Sequence, residues 1–159
     1  MLWFKKNKVR IEDHVRGLVE NALPKAVAFF TKENKHSHSP LNINHTQLQE
    51  VGAGMILFYL GNFFPDTNPE NLTVMSRAFK EIERVLPGLG AAPKAAHVWW
   101  KAYTDGLIFQ ENEPRLKIAC RITWEKLIPD RAHREASPLR TFAYFLEMEV
   151  ESTAKLNII

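Results

Sequence analysis

The chain has 159 residues, 45% of them apolar and 25% charged, the balance of a soluble globular domain rather than a disordered segment. Its net charge of +3 sits at one end: residues 1–40 hold eight basic and four acidic side chains, residues 41–159 thirteen and fourteen. A near-neutral body argues against the broad basic face of a nucleic-acid binder. The single cysteine, Cys120, excludes an intrachain disulfide and points to a reducing, cytoplasmic setting.

Residues 1–10 read as a basic aromatic arm. Trp3 and Phe4 supply apolar mass beside the positive charges of Lys5, Lys6, Lys8 and Arg10. Such a segment suits the surface of an anionic membrane or a protein partner. The same residues could instead clip the arm onto its own bundle, with the lysines snorkelling outward. An apolar run that precedes its lysines reverses the order of a secretory leader.

Residues 11–159 read as one helical domain. Ile11, Val15, Leu18 and Ala22 draw a first helical stripe. Proline in a helix removes a backbone bond, so residues 11–32 are expected to form a helix kinked or split at Pro24. Residues 33–44 are polar and rich in turn formers, as in a linker.

The main bundle, residues 45–159, carries five helix predictions. Asn44 with Gln47 forms a capping-box pattern before residues 45–64, which are apolar nearly all round and mark a central helix. Gly52 and Gly54 there would let a neighbouring backbone come close. The stretch Val51–Phe64, about fourteen residues, is shorter than the roughly 20 that span a bilayer. Asn68-Pro69 opens a helix over 69–86, with Leu72, Met75, Phe79, Ile82 and Leu86 as its buried stripe and Arg77, Lys80, Glu81 and Arg84 as its solvated face. Residues 93–110, 114–128 and 138–155 complete the set, although Asp105-Gly106 also fits a hairpin turn. The predicted fold is an all-α, single-domain bundle of five to seven helices with mostly antiparallel neighbours.

Candidate chemistry is sparse. His36, His38 and His45 cluster near Glu33 and Glu50, but their spacing matches no zinc motif and fits a hydrated loop. No Glu-x-x-His pair occurs, which argues against a carboxylate-bridged metal bundle. Cys120 lies in an apolar helix and reads as an inert core residue. Asp130 to Glu135, with His133, is the densest ionisable cluster and fits a hydrated connection, while Arg131, Arg134 and Arg140 could meet phosphate. Trp99 and Trp100 cannot share a helix face, so one packs inside and the other meets a second layer or a partner. His97, Lys101 and Tyr103 are the polar groups that could converge in an inter-helix pocket.

The expectation is a non-enzymatic helical interaction or scaffold protein with no cofactor or metal. Its partners would be another protein or a second copy, with membrane docking through Trp3, Phe4, Lys5, Lys6, Lys8 and Arg10. The alternatives are a bundle that binds a small ligand, or performs chemistry, in an inter-helix pocket, and a nucleic-acid-associated subunit that uses the arm.

Overall fold

A computed structural model describes residues 7–109, 112–130 and 137–159, and it is an all-α bundle. The helices are α1 (Ile11–Gly17), α2 (Leu23–Lys35), α3 (His45–Leu60), α4 (Pro69–Val85), α5 (Ala95–Phe109), α6 (Arg115–Leu127) and α7 (Ser137–Glu151). A π-helical stretch, Leu18–Ala22, joins α1 to α2 without a break, so the described residues form six helical rods. The only described strands, β1 (Lys8–Val9) and β2 (Asn157–Ile158), pair in parallel.

The centre of the bundle is α3. Every residue from Val51 to Leu60 is buried, as an all-round apolar sequence requires. Its start is fixed by the capping box: Asn44 Oδ1 accepts from the Gln47 backbone at 2.8 Å, and Gln47 Oε1 accepts from the Asn44 backbone at 3.0 Å. Gly54 sets the crossing with α5. A β-carbon there would collide with Trp99 Cβ and lie 3.2 Å from the Ala96 carbonyl oxygen. Gly52 makes similar room for Leu23 and Phe142, from α2 and α7.

Three details add to the sequence reading. Near Pro24 a wide π-helical turn stands between α1 and α2. There the Leu23 N–H bonds the Leu18 carbonyl, five residues back. Lengthening the ring moves the carbonyls away from the proline ring that would otherwise strike the one four residues earlier. The segment 33–44 is also less free than a linker: α2 continues to Lys35, and Leu41 and Ile43 are buried. Asn34 pins it, accepting from the Leu41 N–H at 2.7 Å and donating to the Leu41 carbonyl at 2.8 Å. Asp105-Gly106 lies within α5, in keeping with the helix read over residues 93–110 and not with the hairpin alternative, and Gly106 is close against Ile118 and Ile122 of α6.

The first and last described residues of the chain meet. The Asn7 and Val9 carbonyls accept from the backbone of Asn157 and Ile159, and the Ile159 carbonyl accepts from Ile11 N–H at 3.1 Å. Lys8 and Arg10 are exposed on this clasp. Trp3, Phe4, Lys5 and Lys6 lie outside the described residues. Among the described residues no helix is long and apolar enough to cross a membrane.

Candidate functional site

The stripe predicted along α4 divides. Ile82 and Leu86 are fully buried, but Leu72 is 51% exposed, and Met75 and Phe79 are only half-buried. The cause is α1. Arg77 of α4 binds Glu12 through Nε at 2.6 Å, and Arg16 of α1 reaches Glu81 at 3.1 Å. These pairs turn Ala78, Glu81, Ile82 and Val85 inward. Glu81, expected on the solvated face, is 7% exposed and held between Arg16 and Arg84, which keep its carboxyl below the usual range. Leu72, Met75 and Phe79 are left on the flank that faces α5.

Since α5 is held to α3 through Gly54, α4 and α5 both rest on α3 but touch one another little. Between them lies a groove of about 600 Å³. Phe64, Leu72, Met75, Phe79, Trp100 and Leu107 form its apolar lining, with Ser76, Thr104 and His97 interspersed. The Trp100 ring meets Phe79 edge-on, at 4.7 Å between centroids and 86°, and His97 packs 5.1 Å from Phe79. Such edge-to-face pairs fix ring orientation and hold the wall in shape. The loop from Gly61 to Asp66 also lines the groove, and its Pro65 carbonyl accepts from Thr67 N–H at 2.8 Å and from Asn71 Nδ2 at 2.9 Å. Lys80, Glu83 and Asp66 stand at the edges, and Glu83 is engaged by Lys94 at 3.3 Å.

Arg115, the first residue of α6, lines this groove and also a second cavity of about 440 Å³ bounded by Tyr59, Glu113, Glu147 and Glu151. Its Nη1 donates to the Phe58 carbonyl at 2.6 Å, and its guanidinium lies 4.7 Å from the centroid of the Phe58 ring. Burial lowers its affinity for a proton. In the second cavity burial and the neighbouring Glu151 raise the Glu147 pKa, opposed by the Leu116 N–H.

The candidate pocket residues separate. His97 lines the groove. Lys101 is exposed and pairs with Asp105 at 2.9 Å, while Tyr103 is fully buried on the other side of α5. Tyr103 donates to Thr123 Oγ1 at 2.7 Å, since that hydroxyl spends its own proton on the Ala119 carbonyl. The two tryptophans divide as their spacing demands: Trp99 stacks on Tyr103 against α3, and Trp100 faces the groove. His36, His38 and His45 are exposed, and no three metal-ligating side chains gather among the described residues. Cys120 is buried, and desolvation pushes its thiol up to about 12. Arg131, His133 and Arg134 lie outside the described residues; Arg140 is exposed on α7.

Sequence reasoning missed Phe64, Trp100 and Arg115 as one site. The preceding Glu113-Pro114 pair carries only a helix-start signal, and nothing local marks an arginine that lies over Gly61 and Phe58. In comparisons with protein-family models, curated proteins and solved structures, nothing matches this chain.

Proposed function

We propose that the protein is a small non-enzymatic helical binding module whose recognition surface is the groove between α4 and α5. The observation that carries the reading is the open stripe of Leu72, Met75 and Phe79 facing Trp100. A helix that turns half its apolar stripe away from the core leaves surface that favours leaving water. The volume falls within the roughly 300–1,000 Å³ of small-molecule sites. Binding rather than chemistry is favoured because His97 packs its ring on Phe79 and Trp100 and makes no hydrogen bond to Ser76 or Thr104. A base poised for catalysis would be aimed at such a hydroxyl.

The test uses an apolar dye whose fluorescence rises in a dry site. The unaltered protein should bind it saturably, and Ser76→Trp, which fills the groove from an exposed α4 position, should abolish that binding without lowering the thermal midpoint. Equal dye binding by the stable Ser76→Trp protein would place the apolar site elsewhere.

A further inference from the structure

Arg115 differs from five of the other described arginines. Arg10, Arg16, Arg77, Arg84 and Arg121 each lie within 4.0 Å of a carboxylate. Arg115 has no carboxylate that near among the described residues, although it is half-buried. Among the described residues only one of its five N–H groups is directed to a protein acceptor, the Phe58 carbonyl. Stacking on the Phe58 ring fixes the plane of the fork, which reduces the ordering needed to engage an anion.

Its surroundings favour an anion arriving from one side. Gly61 lines the groove beneath it, and a β-carbon there would stand 3.3 Å from Nη1, so the missing side chain leaves the guanidinium open. In the second cavity the carboxylates of Glu113, Glu147 and Glu151 would repel an anion. In the groove, Glu83 is engaged by Lys94, Asp66 is on an exposed loop, and Lys80 adds positive charge at the rim. A partly desolvated cation in the lining of a mostly apolar groove calls for a ligand with one charged end and one greasy body.

We infer that the groove takes an amphiphilic monocarboxylate, its carboxylate paired with Arg115 and its apolar body laid between Met75, Phe79 and Trp100. This rests on the groove being the recognition surface and adds the chemistry of the occupant. Fatty acids and aryl-alkyl carboxylic acids share that chemistry.

The experiment titrates the full chain with dodecanoate, phenylbutanoate and dodecan-1-ol below their aggregation thresholds, followed by calorimetry and by the Arg115 Nε–H resonance. The carboxylates should bind more tightly than the alcohol by about tenfold or more, the scale of a charge-assisted hydrogen bond. They should move the Arg115 resonance, and the alcohol should not. The stronger of the two carboxylates identifies the aliphatic or aromatic source. Arg115→Met should remove the preference and Arg115→Lys should keep part of it; if Arg115→Met does not fold, the resonance in the unaltered protein still decides. Equal binding of dodecanoate and the alcohol, with the Arg115 signal unmoved, overturns the carboxylate assignment and leaves the groove intact. No binding by any of the three overturns both.

Discussion

Arg77 grips Glu12 with two parallel N–H···O bonds, Nε to Oε1 at 2.6 Å and Nη2 to Oε2 at 2.7 Å, which lock α4 to α1. The same guanidinium donates to the Ile159 carbonyl at 3.1 Å, so one side chain ties a helix pair to the clasp of the chain ends. Everything that opens the groove follows from this docking, because it decides which face of α4 looks inward.

The Arg77 hydrogen bonds hold the Glu12 carboxyl at about 2, below its ordinary 4.5. A carboxyl depressed on folding contributes stability above its unfolded pKa and loses it as pH falls through the folded value. Glu12→Gln should therefore cost about 1 kcal/mol at neutral pH, a modest figure because the pair is partly exposed. That deficit should close as pH falls from 4.5 towards 2. Urea melts of both proteins across this range check it; a deficit that stays constant contradicts the pairing.

His14 behaves oppositely in chemistry but alike in sign. Its Nε2 lies 2.7 Å from Thr153 Oγ1, and burial lowers its pKa below 6.5. The unfolded chain binds a proton more readily, so this contribution is present above pH 6.5 and is lost as pH falls through the lower folded value. The ring should titrate below 6.5 by NMR. The unaltered protein should also lose more stability on acidification than His14→Asn. A midpoint at or above 6.5 would exclude a desolvated ring.

Two glycines should respond in opposite directions. Gly54→Ala forces a β-carbon into Trp99 and should destabilise by about 1–3 kcal/mol, the usual cost of overpacking. Gly17 is helical, at φ −60°, and meets nothing within 4 Å. Gly17→Ala should gain about 0.5–1 kcal/mol from helix propensity alone. Denaturant midpoints measure both, and equal shifts of the same sign would contradict the close α3–α5 approach.

Cys120 should resist labelling. With its thiol pushed up to about 12 and its side chain buried, little thiolate exists at neutral pH. An aromatic disulfide reagent should react only as the chain unfolds, and rapid reaction of the folded protein would show that α6 opens freely.

The helices were legible because their starts are written in local chemistry. Asn44 and Asn68 bond the backbone three residues on, and Pro69 and Pro114 stand at or beside helix starts. The burial of α3 followed from its apolar run. What stayed hidden depended on long-range pairing. The α4 stripe looked like core because periodicity reports a face, not what covers it; α1 claimed the neighbouring face through Arg16 and Glu12. The β1–β2 clasp joins residues at opposite ends of the chain, and two-residue strands carry no pattern of their own. Arg115 was equally silent, since its role comes from Gly61 and Phe58 arriving beside it in space.

The most direct measurement of the central claim is an NMR map of an apolar ligand on the full chain. Saturating dodecanoate should shift the methyl and ring signals of Phe64, Leu72, Met75, Phe79, Trp100 and Leu107 together. Shifts confined to other exposed apolar side chains, such as Phe29, Tyr144 and Met148 of α2 and α7 or Val98, Ile108 and Phe109 of α5, would contradict the groove as the site of recognition.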